Sequence, residues 1–229
     1  MAITIGKPLS LKDIEFMPQN KAKSRSLMDI AIIDDEKFKD FEALRKSSFK
    51  VTELGDISDI RSVSEYSIVI CDIKGVGKSF QTKYGAGHVI SEIRQRYPDK
   101  YIIVYSGSPV DPTYKRFLDK CDVSVRKNAD VTEWINALDV AIEEMANPIK
   151  RWKRLRTIFL DNGMELYDVF VFEQAYIKAF RKNNPKILET AMKNNSLLDK
   201  EELLNEGAKA LIVFAANVIG AGVVTYITK

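Results

Sequence analysis

The stretch SIVICD (residues 67–72), followed by the loop IKGVGKSF (residues 73–80), is the most informative part of this chain for predicting its fold. Four consecutive apolar residues, Ile68 to Cys71, are typical of a strand that is buried on both faces of a parallel sheet. The run ends in an acid, Asp72, and a glycine-rich loop then turns the chain away from the strand. Comparable apolar runs lie on both sides of this stretch and are predicted to be further strands of the same sheet.

The pattern of strand and helix recurs over about a hundred residues. Apolar runs alternate with segments whose apolar residues recur at helical spacing. The predicted strands cover residues 29–34, 49–54, 67–72, 101–106 and 122–127, and the main predicted helices cover residues 36–48, 86–98 and 130–145. Strands joined through helices imply right-handed crossovers. The predicted fold class is α/β, a doubly wound five-stranded parallel sheet followed by an α-helical C-terminal region.

This pattern divides the chain into four predicted regions. Residues 1–27 are a polar, basic N-terminal arm, and residues 28–147 form the sheet domain. Residues 148–206 have no further strand pattern and are predicted to be helices, with breaks at the asparagine-rich segments 183–185 and 194–196. Residues 207–229 are predicted to form an apolar C-terminal helix.

Composition excludes some classes of protein. An apolar fraction of 45% with 29% charged residues excludes a wholly membrane-embedded chain. The net charge of +3 permits contact with phosphate but does not require nucleic acid. The basic run at residues 150–154 is interpreted as the solvated face of a helix.

The two cysteines and the N-terminus give two further predictions. Cys71 and Cys121 lack CxxC spacing and are predicted to be reduced core thiols. The main domain is predicted to be cytoplasmic.

The uncharged stretch at residues 210–228 leaves two interpretations open. Nineteen residues without a charge are about long enough to cross the hydrocarbon core of a membrane, so the stretch could anchor the domain to the inner membrane. Small residues at Ala216, Gly220 and Ala221 would let two such helices approach closely. The alternative is a helix that is buried in the protein or forms an oligomer.

Gly77, Lys78 and Ser79 match the end of a phosphate-binding P-loop, which would make the chain a nucleotide-binding protein. A P-loop also requires a glycine five positions before Gly77, to begin the turn that wraps backbone N–H groups around the phosphates. That position is Asp72, whose negative charge would face the phosphates. A nucleotide site that uses Lys78 and Ser79 is therefore the least favoured hypothesis.

The ends of the predicted strands carry a more specific pattern. In an open parallel sheet, functional groups gather at the carboxyl ends of the strands. Five polar residues stand at these ends: Asp34, Asp35, Asp72, Ser106 and Lys127. Three carboxylates at close range require a cation between them, and hard oxygen ligands suit Mg²⁺. A carboxylate beside Mg²⁺ can attack a phosphoryl donor, with the hydroxyl and the ammonium binding the transferred oxygens.

In their order along the chain, these motifs resemble the receiver domain of two-component response regulators. IAIIDDE resembles the acidic-pair motif of that family, and SIVICD resembles its phosphoacceptor strand. YIIVYSGS resembles its hydroxyl-bearing strand, and VSVRKN its lysine strand. The resemblance covers residues 28–147, about half of the chain, and implies the receiver/flavodoxin-like form of the fold.

The resemblance also implies residue roles and a partner. Asp72 would accept the phosphoryl group, with Ser106 and Lys127 contacting it. Asp35 would ligate Mg²⁺ directly, Asp34 mainly through water, and Lys74 through its backbone carbonyl. A histidine kinase or another phosphodonor would be the partner, and the chain would be a signalling protein rather than a metabolic enzyme.

Three departures from the family pattern keep an alternative open. Asn128 follows the lysine where the family normally has proline. Ser124 stands where the family has a switch aromatic, and the loop after Asp72 is longer and richer in glycine than usual. The alternative is a pseudo-receiver scaffold or membrane effector that acts by protein contact without phosphorylation. The aromatic stretch at residues 166–180 predicts a face for helix packing or for a homo-oligomer formed through the C-terminal helices.

Overall fold

The structure is a computed structural model that describes residues 8–17, 20–107, 114–195 and 202–226. The strands are β1 (Ile14–Phe16), β2 (Asp29–Ile33), β3 (Lys50–Glu53), β4 (Ile68–Asp72), β5 (Tyr101–Ser106), β6 (Val123–Arg126) and β7 (Val224–Tyr226). The helices are α1 (Lys21–Arg25), α2 (Phe41–Lys46), α3 (Ala86–Arg96), α4 (Lys115–Leu118), α5 (Val131–Ala146), α6 (Pro148–Asp161), α7 (Leu166–Arg181), α8 (Lys186–Lys193) and α9 (Glu202–Gly220). Short 3₁₀ turns cover Leu11–Asp13, Ile60–Val63 and Lys78–Phe80.

The chain divides into two compact units. Residues 20–146 form one, called here the sheet unit, and residues 1–19 with residues 147–229 form the other, called the helical unit. Residues 20–27 of the N-terminal arm contribute α1 to the sheet unit, whereas β1 belongs to the helical unit.

The sheet unit has the predicted doubly wound fold. Its five strands are all parallel, in the order β3-β2-β4-β5-β6. The chain runs outward from β2 to β3, then crosses back and continues through β4, β5 and β6. The strand order therefore reverses between β2 and β4, and in such sheets this is where a binding crevice opens at the carboxyl ends of the strands. The predicted α/β class and the receiver/flavodoxin-like topology are confirmed.

Each face of the sheet is covered by helices. On one face, the buried side chains of Val89, Ile90 and Ile93 from α3 pack against the side chains of the central strands. On the other face, α5 buries Trp134 and Leu138. Because both faces are covered, the central strands β2, β4 and β5 are almost continuously buried, which explains their uninterrupted apolar runs.

Two local differences from the predicted elements stand out. Helix α2 begins at Phe41 rather than at residue 36, and Phe38 lies before it. Phe38 is nevertheless buried, because its ring packs edge-on against Tyr105 at 5.6 Å and Trp134 at 5.0 Å between ring centroids. The segment between β5 and β6 contains the short helix α4, which is absent from the predicted elements.

The helical unit has an aromatic core. Helix α6 starts at Pro148, where the Asn147 side chain caps it by accepting from the N–H groups of residues 149 and 150. Trp152 stacks on Tyr176 of α7 with 5.1 Å between ring centroids, and Phe159 and Phe172 complete the buried cluster. The basic run at residues 150–154 is only partly solvated, because Arg151 is buried with its guanidinium 5.6 Å from the ring of Phe214.

Helix α7 divides the predicted aromatic stretch between two faces. Phe172, Tyr176 and Phe180 are buried in the core of the helical unit. The opposite face exposes four large apolar side chains: Leu166 (62% exposed), Tyr167 (68%), Phe170 (37%) and Val171 (45%). This set of four is called here the α7 apolar face.

The C-terminal helix begins and ends earlier than the predicted residues 207–229, and it overlaps the uncharged stretch only over residues 210–220. It covers Glu202–Gly220, and the chain then turns at Gly222, whose φ of 64° favours glycine, into β7. Strand β7 pairs antiparallel with β1. Helix α9 is long and apolar enough to cross a membrane by length and composition, a test that the core helix of a soluble protein also passes. Residues 227–229 lie outside the described residues.

Candidate functional site

Three carboxylates meet where the strand order reverses. Asp34 and Asp35 follow β2, and Asp72 is the last residue of the neighbouring strand β4. One carboxylate oxygen of each lies within 4.8 Å of those of the other two. Asp34 and Asp72 are buried, whereas Asp35 lies at the surface. Parallel pairing of β2 with β4 brings the two strand ends together, as the sequence predicts.

Lys127 supplies positive charge to this cluster. It follows β6, and its backbone N–H extends the sheet by donating to the carbonyl of Ser106 at 2.8 Å. Its side-chain Nζ lies 2.6 Å from Oδ2 of Asp72. This hydrogen bond is the main cause of a raised Lys127 pKa, so the side chain is an ammonium at neutral pH.

Asp34 is held by two donors. The backbone N–H of Glu36 donates to Oδ1 of Asp34 at 2.9 Å, and the hydroxyl of Tyr105 donates to Oδ2. Burial, together with this hydrogen bond, raises the pKa of Tyr105 well above its ordinary value, so the phenol stays protonated. Asp34 is therefore fixed in orientation. Its partner Tyr105 is itself held by edge-on packing against the rings of Phe38 and Trp134.

Asp35 is paired with a lysine from the glycine-rich loop. Nζ of Lys78 lies 2.7 Å from Oδ2 of Asp35. The hydrogen bond lowers the pKa of Asp35 and raises that of Lys78, so both groups are charged at neutral pH. Gly75 permits this arrangement, because a Cβ at that position would stand 2.1 Å from Oδ1 of Asp35.

The loop does not have the geometry of a P-loop. The backbone N–H groups of Gly77 and Lys78 donate to the two carboxylate oxygens of Asp56, at 2.6 and 3.1 Å. In a P-loop these groups would face phosphate, with a helix starting at the lysine. Here residues 78–80 form a single 3₁₀ turn, and the next helix starts at Ala86. The nucleotide-binding hypothesis is not supported by this geometry.

Ser106 and Lys74 stand beside the cluster. Ser106 ends β5, one residue beyond Tyr105, which pairs with Asp72 across the sheet. The backbone N–H of Lys74 donates to Oδ1 of Asp72 at 3.1 Å, so residue 74 lies directly against the central acid. All the predicted site residues therefore stand at one edge of the sheet, with contacts to Asp72 from Lys74 and Lys127.

The residues present fit a hard divalent cation. Three carboxylate oxygens within 4.8 Å of one another, two of them on buried side chains, offer the anionic oxygen donors that Mg²⁺ prefers. Two ammonium groups and three carboxylates leave one net negative charge, which a dication would reverse.

Three residues of this site were not predicted from the sequence. A hydrogen bond from Tyr105 could have been predicted, because a tyrosine in a strand buried on both faces needs a partner for its hydroxyl. Lys78 was considered only as a nucleotide ligand, and its contact with Asp35 depends on how the loop folds. Asp56, which fixes that loop, precedes the 3₁₀ turn at residues 60–63 and has no local signal for this role.

Comparisons with known proteins found solved structures that are similar to part of this chain. No protein-family model matches the sequence, and no curated protein matches it. The BeF3-activated DrrB receiver domain is 16% identical and covers 51% of this chain and 97% of its own, with a TM-score of 0.41. A CheY-like response regulator receiver domain from Methanospirillum hungatei JF-1 is 15% identical and covers 52% of this chain and 96% of its own, with a TM-score of 0.42.

A third similar structure is RcsB from Salmonella enterica serovar Typhimurium, bound to promoter rprA in the presence of the phosphomimetic BeF3-. It is 24% identical and covers 51% of this chain and 98% of its own, with a TM-score of 0.39. These chains are similar to this one over about half of its length. The sheet unit, by its own strand order, has the receiver/flavodoxin-like fold.

Proposed function

We propose that this chain is a receiver-like signalling protein that accepts a phosphoryl group on Asp72. The sheet domain, at residues 28–147, would carry the chemistry, and the helices of residues 148–206 and 207–229 would carry the output. One observation carries the proposal. The ammonium of Lys127 lies 2.6 Å from a buried carboxylate at a strand end, and two further acids cluster with that carboxylate.

The residues have distinct roles in the proposed transfer. A carboxylate oxygen of Asp72 attacks the phosphorus of a phosphodonor, such as a phosphorylated histidine kinase. The bond from phosphorus to the donor breaks, and the leaving group takes the electron pair. Lys127 and Ser106 then bind the phosphoryl oxygens, where negative charge is greatest.

Magnesium would be held by Asp34, Asp35, Asp72 and the carbonyl of Lys74, and would supply the positive charge that lets anionic phosphate approach these acids. The chain's own contribution is positioning. Tyr105 and the backbone N–H of Glu36 orient Asp34, and the N–H of Lys74 orients Asp72. The proposed activity is limited to gain and loss of this phosphoryl group, and the chain is not proposed to be a metabolic enzyme.

A pseudo-receiver scaffold is the second candidate, and the site itself gives a reason for it. Asp35 is neutralised by Lys78, and one oxygen of Asp34 is occupied by Tyr105. Ser124, at the position of the family's switch aromatic, is an exposed residue of β6. A chain with this site could keep the fold as a surface for protein contact without turning over phosphate.

The experiment that separates the two candidates is uptake of beryllofluoride, a phosphoryl mimic, by the full chain in Mg²⁺. Amide NMR shifts are recorded for wild type and for Asp72→Asn. We expect shifts centred on Asp35, Asp72, Ser106 and Lys127 that are absent in the variant. An unchanged spectrum from a folded wild-type chain would contradict phosphoryl acceptance and leave the scaffold.

For the helical unit we propose self-association with a second copy of this chain, in which the α7 apolar face of one copy lies against the groove between α7 and α8 of the other. A groove of about 700 Å³ lies between α7 and α8, and Tyr167, Val171 and Gln174 line it on the α7 side. Asp168 and Lys178 also line it, and they lie ten residues apart along α7. In an antiparallel pair related by a two-fold axis near residue 173, Asp168 of each copy would face Lys178 of the other. This charge complementarity favours a second copy over other occupants.

We also propose that α9 is a core helix of the helical unit rather than a membrane anchor. Leu204, Leu211, Phe214 and Val218 are buried along one stripe. A Cβ at Gly207 would stand 3.0 Å from Phe159 and 3.1 Å from Leu155, so α9 packs closely on α6. Recovery of the full chain in the aqueous phase without detergent would support this, whereas recovery only with membranes would restore the anchor.

A further inference from the structure

The contact between Lys78 and Asp35 places a positive charge where the proposed magnesium site needs a free carboxylate. Of the three clustered acids, Asp35 is the one nearest to solvent, and the resemblance assigns it as a direct metal ligand. Its Oδ2 accepts from the Lys78 ammonium at 2.7 Å. An ammonium at this distance repels a dication at the same carboxylate, since like charges a few ångströms apart cost energy even in water.

The loop holds Lys78 in this place. Asp56 accepts from the N–H groups of Gly77 and Lys78, which ties the backbone at the base of the lysine side chain. The backbones of Gly77 and Gly85 lie in close contact, as shown by the 2.5 Å that would separate a Cβ at Gly77 from the backbone of Gly85. The backbone that carries Lys78 is therefore fixed from two sides, and the ion pair is preorganised.

We propose that Lys78 is an internal competitor for the divalent cation. Its ammonium holds Asp35 in the metal-free protein, and the cation binds as this ion pair opens. Metal binding would then release the Lys78 side chain, which is largely exposed, toward solvent. The inference rests on the proposed magnesium site and goes beyond it, because it makes the glycine-rich loop set the affinity of that site.

The test is the affinity of the full chain for Mn²⁺, a spectroscopic substitute for Mg²⁺, measured by electron paramagnetic resonance at low ionic strength. We expect Lys78→Met to bind Mn²⁺ about three- to tenfold more tightly than wild type, because the variant removes one opposing charge and one surface ion pair. Lys78→Arg keeps the charge and should bind like wild type.

Lys83→Met is the matched control. Lys83 lies on the same loop with its ammonium 5.9 Å from the ring of Tyr84, so its removal changes the net charge equally without touching Asp35. We expect a change in affinity of less than twofold. Asp35→Asn should weaken binding and thereby locate the ion.

The outcomes separate this inference from the proposed function. Unchanged or weaker binding by Lys78→Met would overturn the competition, while metal binding by wild type would leave the magnesium site intact. Binding by neither wild type nor Lys78→Met would overturn both. Binding by Lys78→Met alone would support the competition in its strongest form.

Discussion

The two units place their polar and apolar residues in opposite ways. The sheet unit buries two carboxylates at strand ends and satisfies them with a lysine, a tyrosine hydroxyl and backbone N–H groups. The helical unit has an aromatic core and exposes six of the seven large apolar side chains that are exposed among the described residues. Buried charge is costly unless it is paired, and exposed apolar surface is costly unless it is covered. The first unit is therefore suited to chemistry, and the second to contact.

The largest predicted effect concerns the core of the helical unit. Trp152→Ala should lower the free energy of unfolding by about 3–5 kcal/mol, because a fully buried indole is lost and a cavity remains. The variant also removes the hydrogen bond that the indole Nε1 donates to Glu173 at 2.5 Å. Far-UV circular dichroism during urea unfolding measures this loss. Trp134 is the remaining tryptophan of the variant, so its fluorescence reports separately on the sheet unit.

Trp152→Phe is the matched control for the aromatic core. It keeps a ring against Tyr176 but removes the indole N–H, so we expect a smaller loss of about 1–3 kcal/mol from the unpaired Glu173. A loss below 1 kcal/mol for Trp152→Ala would contradict the view that stacked rings stabilise this unit.

A second prediction concerns polar pairing in the sheet unit. Arg25 of α1 binds Asp139 of α5 through two hydrogen bonds, at 2.7 and 2.8 Å, and donates a third to the carbonyl of Ser47 at 2.9 Å. The side chains are only 14% and 24% exposed. Because the bonds are charge-assisted and partly buried, Asp139→Asn should cost about 2 kcal/mol at pH 7, measured by urea unfolding followed by far-UV circular dichroism.

This pair has a predicted pH dependence. The hydrogen bond from Arg25 lowers the pKa of Asp139 in the folded protein. The stabilisation is therefore present above the unfolded pKa, about 3.9, and is lost as the pH falls through the lower folded value. The difference between wild type and Asp139→Asn should shrink between pH 5 and pH 3. A difference that stayed constant to pH 3 would exclude the ion pair as its source.

The contrast between the units also explains what the sequence could predict. The strand at residues 101–106 was predicted with its observed bounds, because burial on both faces leaves an apolar run with clear ends. The meeting of Asp34, Asp35 and Asp72 followed from one rule, that parallel strands end at the same edge. Both inferences use patterns that can be recognised in short segments of the sequence: the apolar run of a buried strand, and the polar residue at its carboxyl end.

Contacts that depend on loop geometry or on distant pairing were not predictable. The Lys78–Asp35 pair joins residues 43 positions apart and exists because Asp56 and two glycines shape the loop. The bounds of α9 were missed because an uncharged window excludes Glu202, Glu206 and Lys209, although the helix keeps its buried stripe through them. Strand β7 consists of residue types that are enriched in strands, but its pairing with β1, about 210 residues earlier, has no local signal.

The smallest predicted effect tests whether the exposed apolar surface of the helical unit is covered by a second copy. In the proposed antiparallel pair, Asp168 and Lys178 meet twice because of the two-fold symmetry. Asp168→Lys alone, or Lys178→Asp alone, should weaken the dimer about five- to tenfold, roughly 1 kcal/mol for two repulsive pairs at the rim. The double variant restores both pairs with reversed sign, so it should recover wild-type affinity, as measured by sedimentation equilibrium.

Recovery in the double variant is the decisive result, because a merely structural effect of either substitution would add rather than cancel. Val171→Glu should disrupt the dimer through the apolar face itself, whereas Val213→Glu, at an exposed valine of α9, is the matched control and should leave affinity unchanged. A monomeric wild-type chain at about 100 µM, or a double variant no stronger than the singles, would exclude this interface. The exposed surface of the helical unit would then require a different partner, while the chemistry proposed for the sheet unit would be unaffected.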